Sequence, residues 1–221
     1  VTVPAQNAAL DLVEAEGEHQ RLLGYRGPAT QPPDALPEGQ PRPRGAYYTP
    51  DALALAICHS LAANGIEPKI GWTLEPGCGG GAFLRAFAAL WPADVSHLYA
   101  VDSVPACSGP GDVDRRDLFG LEGPYQLILG NPDFGQAEAI VRHCLGLLAP
   151  HGHLAFLLRL NMLAGKARAK LYREQPLFLF QPIAGRPSFT GGGTDASDYG
   201  LFVWKQGHRG EGRILHPLEW R

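Results

Sequence analysis

Leu74-Glu75-Pro76-Gly77-Cys78-Gly79-Gly80-Gly81-Ala82-Phe83 is an apolar, strand-like run that meets four glycines and then passes into a helical pattern. Glycine lacks a Cβ, so such a turn can take positive φ and let a ligand lie against bare backbone at the carboxyl end of a strand. The match to G-x-G-x-x-G is imperfect, and a tight structural turn would use the same residues. The surrounding chain has to decide between the two.

Outward from that turn, apolar strands alternate with helical patterns. Strands are predicted at Ile70–Glu75, Leu98–Asp102, Gln126–Gly130 and His153–Arg159. Between the last two, Ala137, Ile140, Val141, Cys144, Leu145 and Leu148 keep helical spacing on one face and mark a crossover helix. Upstream, Thr49-Pro50-Asp51 supplies an N-cap, a proline at the first helical position and an early acid, with Gly65 as the stop, so a helix is predicted over Pro50–Asn64. Leu177–Ile183 and Tyr199–Lys205 read as two closing strands around a glycine-rich loop, an antiparallel edge. This alternation is the signature of an α/β, doubly wound, mainly parallel sheet covered on both faces.

Two regions follow from composition. Residues 1–45 read as an extension, with a short helix around Leu10, Val13 and Leu22 and a proline-rich linker or disordered arm from Gly27 to Gly45. The folded domain is expected over 46–221, beginning near Tyr47. Cys58, Cys78, Cys107 and Cys144 lie far apart with no C-x-x-C pair or histidines at ligand spacing, so neither a disulfide framework nor a metal site is expected. No apolar stretch reaches the roughly 18 residues of a membrane span, and no signal pattern opens the chain; a cytoplasmic protein is the expectation.

A net charge of −3 and a pI near 6.2 oppose a general affinity for nucleic acid, so any contact with DNA must be local. The segment Arg159–Arg173 qualifies, carrying Arg159, Lys166, Arg168, Lys170 and Arg173 and no carboxylate. It is either a solvated helix face or a DNA-facing one.

The next strand ends in Val101-Asp102, 27 residues after Glu75. A carboxylate at that tip suits a ribose diol, because it accepts two hydroxyl hydrogen bonds in a fixed geometry; a helix cap is the plain alternative. Asp117 and Leu118 follow at a third strand-end position, where an adenine ring could be held or where an ordinary loop Asp would sit.

Ile128-Leu129-Gly130-Asn131-Pro132-Asp133-Phe134 closes the strand counted fourth. Here the chain resembles the amino-methyltransferases of DNA, whose catalytic signature is N/D-P-P-Y/F after that strand. Tyr47-Tyr48-Thr49-Pro50 is similar to the upstream motif beside the methionine moiety. The glycine loop is similar to the cofactor motif, and Arg186-Pro187-Ser188-Phe189-Thr190 through Trp204 to the tail of phage-type orphan adenine methyltransferases. The resemblance implies the class I methyltransferase fold, Rossmann-like with a seven-stranded sheet and an antiparallel C-terminal strand. It also implies S-adenosylmethionine as cofactor and transfer to the N6 amine of adenine in DNA. Cofactor-binding residues would be Tyr48, Thr49, Pro50, Glu75, Pro76, Gly77, Gly79, Asp102, Asp117 and Leu118; the catalytic ones would be Asn131, Pro132, Asp133 and Phe134.

The chemistry accounts for those residue types. The lone pair of a purine amine is delocalised into the ring, so the enzyme must draw its two hydrogens out of plane. Asn131 Oδ1 and the Pro132 carbonyl would accept them while Phe134 stacks on a flipped base. Asp133 stands where the family has its second proline, which stiffens the turn. Its charge would stay solvated, favour a cationic intermediate, or signal a changed substrate or lost activity. Phe189 and the Gly191–Gly193 loop read as a mobile flap or as a plain hairpin, followed by Asp195, Asp198 and Tyr199.

Two other functions use the same residues. Glutamine-N5 methyltransferases of proteins also hold an amide nitrogen with N-P-P-Y, and an inactive module would keep the fold while losing the proline. The short span between catalytic motif and tail leaves little room for a target-recognition domain, so specificity is low or is supplied by a partner or dimer.

Overall fold

The computed structural model describes residues 48–68, 71–103, 109–189 and 195–221. The expected N-terminal helix and proline-rich arm, Tyr47, Ile70, Cys107, Thr190 and the Gly191–Gly193 loop lie outside the described residues.

Helix α1 (Asp51–Ala63) leads into β1 (Thr73–Pro76), the glycine loop, α2 (Ala82–Leu90) and β2 (Leu98–Asp102). Then come β3 (Asp112–Arg115), β4 (Tyr125–Gly130), α3 (Ala137–Gly146) and a long β5 (Leu148–Arg159). Helix α4 (Lys166–Glu174), β6 (Leu179–Pro182), β7 (Tyr199–Lys205) and the short β8 (Arg213–Ile214) complete the chain. The sheet order is β3-β2-β1-β4-β5-β7-β6-β8. Strands β1 to β5 run parallel to one another, and β7 runs antiparallel between β5 and β6. The eighth strand, two residues paired to β6, extends the expected seven.

Side-chain alternation along the strands sorts the core onto two faces. Leu127, Leu129, Ala155, Leu157, Leu201 and Val203 pack with α1 and α2. Ile128, Leu154, Phe156, Leu158, Phe202 and Trp204 pack with α3 and α4. Helices therefore cover both faces, and the chain reverses direction across the sheet between β1 and β4. Ligands of open α/β sheets bind at such a switch point, outside the carboxyl ends of the strands.

Two expectations need correction. Pro50 is the cap and Asp51 the first helical residue, with no side-chain cap bond, so Thr49 does not cap α1. Asp51 instead pairs with Arg85 of α2 at 2.6 Å. Strand β5 begins at Leu148 rather than His153, passing through His151 at φ 62°. Strand β3 is an edge with all four residues exposed, which deprives it of any apolar pattern.

Candidate active site

The glycine loop is built by backbone geometry. Gly77 and Gly79 hold φ of 72° and 49°, in the left-handed region that favours glycine. The Gly77 and Cys78 N–H groups donate to the Val101 carbonyl at 2.7 and 3.3 Å, stitching the loop to β2. Gly79 N–H donates to Asp102 Oδ2 at 2.8 Å. A Cβ on Gly79 would come within 3.1 Å of the Tyr48 ring, so glycine also makes room for that ring. Arg85 ties the start of α1 to the loop by donating to Gly80 O at 2.7 Å and to Asp51 Oδ1 at 2.6 Å.

Glu75 lies 2% exposed in β1. A Cβ on Gly130 would stand 3.5 Å from Glu75 Cγ, so the ends of β1 and β4 are close together. The Cys58 thiol of α1 is pushed far above its usual range by burial and, secondarily, by the charge of Glu75.

Past β4, Asn131 Nδ2 donates to Thr49 Oγ1 at 3.1 Å. This bond joins two sequence motifs 82 residues apart. Pro132 is buried and Asp133 exposed. Asp133 Oδ1 accepts the Gly135 N–H at 2.9 Å, and its carbonyl accepts Gln136 N–H at 3.1 Å. Asp133 thus closes a short side-chain turn onto the backbone two residues on.

Phe134 sits in an aromatic cluster, 5.4 Å from Tyr199 and 6.2 Å from Phe189 between ring centroids. Phe189 is 2% exposed, so this residue belongs to the core and not to a mobile flap. Tyr199 donates to Asp195 Oδ2 at 2.6 Å, and Arg159 Nε donates to Tyr199 Oη at 3.2 Å. Burial, then the bond to Asp195, pushes the Tyr199 hydroxyl up to about 12. Asp195 is raised by burial, but the Tyr199, backbone and Arg159 interactions outweigh this and hold it below the usual carboxylate range.

The sheet thus aligns Glu75 at the end of β1, Asp102 at the end of β2, Asp117 two residues beyond β3 and Asn131 just past β4, all on one edge. Asp117 is exposed, and its Oδ1 accepts Phe119 N–H at 3.0 Å, capping the short 3-10 turn Leu118–Gly120. Leu118 is half-buried, and its carbonyl lies 3.0 Å from His143 Nε2. The basic segment does not form one face. Arg159 turns inward to the aromatic cluster, Arg168 lies 3.8 Å from Glu138, and Lys170 lies 3.6 Å from Glu174. The carboxylates missing from the segment come from α3 and from the residue just past it. Arg159 was legible as a charge but not as a neighbour of Phe134; its register opposite Tyr199 on β7 exists only once the sheet has formed, and no sequence signal marks it.

Among the described residues no group of three histidine, cysteine or acidic side chains converges to hold a metal, and no helix is long and apolar enough to cross a membrane. No family model and no curated protein matches the chain by sequence. Solved structures do match it. One is a protein of Listeria monocytogenes assigned to the class I S-adenosylmethionine-dependent methyltransferases, with 12% identity and a TM-score of 0.59 over 83% of this chain and 69% of that one. The chain has the class I methyltransferase fold. A predicted O-methyltransferase of Agrobacterium tumefaciens shares that fold at 18% identity and TM-score 0.54, over 76% of this chain and 86% of that one. The methyltransferase subunit of a type I restriction-modification system from Streptococcus thermophilus gives 15% identity and TM-score 0.61, over 78% of this chain. The chain spans about half of that subunit, 47%.

Proposed function

We propose that this chain, through a domain spanning 46–221, transfers a methyl group from S-adenosylmethionine to the N6 amine of adenine in DNA. The observation that carries the reading is the Asn131–Thr49 bond, which holds an amide at the carboxyl end of β4 beside the glycine loop. In this reading Asn131 Oδ1 accepts one hydrogen of the target amine. The Pro132 carbonyl takes the second hydrogen, and Phe134 stacks on the base, which must leave the duplex to enter. The likeness to the Streptococcus restriction-modification methyltransferase subunit is in keeping with DNA as substrate.

The residues present fit the cofactor. Glu75 supplies a buried carboxylate for an ammonium, Gly77 has open space where a Cβ would be, and Asp102 lies at the loop for a ribose. Asp117 and Leu118 would flank the adenine, and Tyr48, Thr49, Pro50 and Pro76 would border the methionine end. The cofactor supplies an electrophilic methyl group; the chain's residues supply proximity and orientation in place of a strong base. DNA is the partner, with specificity low or lent by a second protein or copy.

Asp102→Ala is expected to weaken S-adenosylmethionine binding by about 1.5–3 kcal/mol, the scale for a hydrogen bond to a charged group. Titration calorimetry reads this; unchanged affinity would remove the ribose assignment.

The turn at Asp133 gives a second expectation. Asp133→Asn keeps the bond to Gly135 and Asp133→Pro restores a rigid ring, so both are expected to keep native turnover, whereas Asp133→Ala loses about 0.5–1.5 kcal/mol of turn rigidity. Steady-state transfer rates decide. If the proline variant alone is active, Asp133 marks decay and the native protein is a relic.

A further inference from the structure

We infer that Arg159 is a positioning residue for Phe134, held against its ring by Asp195 and Tyr199. This rests on the reading of Asn131–Phe134 as the base pocket.

Arg159 is the last residue of β5 and pairs across the sheet with Tyr199, the first of β7. Its Cζ lies 4.8 Å from the Phe134 ring centroid, within the range of a cation–π contact. The guanidinium is anchored behind the ring. Nε donates to Tyr199 Oη at 3.2 Å, and its NH2 nitrogen stands 3.7 Å from Asp195 Oδ2. Tyr199 in turn donates to the same Asp195 oxygen at 2.6 Å, closing a triangle of charge and hydroxyl. Asp195 is tied to the preceding chain, its N–H donating to Pro187 O at 3.0 Å, and its Oδ1 accepts Ser197 N–H at 3.2 Å.

The arrangement answers a need of the proposed chemistry. A base-stacking ring at the end of a turn must keep one orientation, or the target amine misses the acceptors at Asn131 and Pro132; even small misplacement is costly in transfer reactions. Phe189 and Tyr199 pack against Phe134, and the planar guanidinium adds a third, charged support. A planar fork suits the task because it can lie on a ring while donating sideways, which an ammonium cannot do.

The test is a double-mutant cycle on the full chain with plasmid DNA and labelled S-adenosylmethionine. Arg159→Ala is expected to lower kcat/KM for DNA about 2–30-fold, the equivalent of a partly buried cation–π contact, with cofactor affinity unchanged. In a Phe134→Ala background, which keeps measurable transfer because one stacking contact is worth only about 5–150-fold, the same change is expected to add almost nothing. Arg159→Lys recovers part of the loss, and Asp195→Asn reproduces part of it. A second cycle, on urea unfolding of the same four proteins, is expected to show the same sign of coupling without any reliance on activity. Equal losses in both backgrounds would mean that Arg159 acts on DNA or on the fold directly, and would overturn the assignment. An active native protein with an unimpaired Arg159→Ala variant would do the same. A native protein that transfers no methyl group to DNA would instead bring down the functional reading, and the role of Arg159 in stacking with it.

Discussion

Asn131→Ala is expected to lower methyl transfer by at least about 10²–10³-fold, the scale for losing one preorganised hydrogen-bonding group at a reacting centre. Affinity for S-adenosylmethionine should stay close to native, because the proposed partner of this side chain is the substrate amine. The bond to Thr49 gives the experiment a graded companion. Thr49→Val leaves Oδ1 in place but removes the hydroxyl that orients the amide at 3.1 Å, so a loss of about 0.5–1.5 kcal/mol, or two- to twelvefold, is expected. Rapid-quench transfer assays separate this from slow product release. An Asn131→Ala protein as active as the native one would sink the catalytic assignment.

Phe189→Ala is expected to be the most destabilising change near the site. Its side chain is 2% exposed and touches both Phe134 and Tyr199, with ring centroids 6.2 and 4.9 Å away. Truncating a buried Phe to Ala costs about 3–5 kcal/mol from lost burial and the cavity left behind. Urea unfolding with a fixed m-value measures it. A cost below about 1 kcal/mol, the range of surface substitutions, would return Phe189 to the mobile-flap reading.

Much of the fold was legible because its signals are local. The run into four glycines at Leu74–Phe83, the strand ending in Asp102 and the crossover helix at Ala137 all announce themselves within about ten residues. Strand β3 escaped because an exposed edge, Asp112–Arg115, needs no apolar face. The start of β5 at Leu148 escaped because Pro150, His151 and Gly152 resemble a turn, yet the ladder to β4 resumes beyond them. In the site, residue types were readable and partnerships were not. Thr49 looks like a helix cap in sequence, but its hydroxyl accepts from Asn131, a bond that exists only once the β4 end reaches the start of α1. Arg168 and Lys170 sit in a stretch without acids, but Glu138 and Glu174 reach them from outside it. Asp133 reads in sequence as a departure from the family's second proline; its bond to the Gly135 N–H is seen only in the structure. Short-range turn chemistry would have suggested that bond, since Asp readily accepts from the N–H two residues on.

The product of the reaction is the most direct readout. DNA from cells expressing the protein, digested to nucleosides and analysed by mass spectrometry beside DNA from cells expressing Asn131→Ala, should contain N6-methyladenine only where the native protein is made. Absence of methylated adenine in the native sample, or equal amounts in both, would contradict the proposed function.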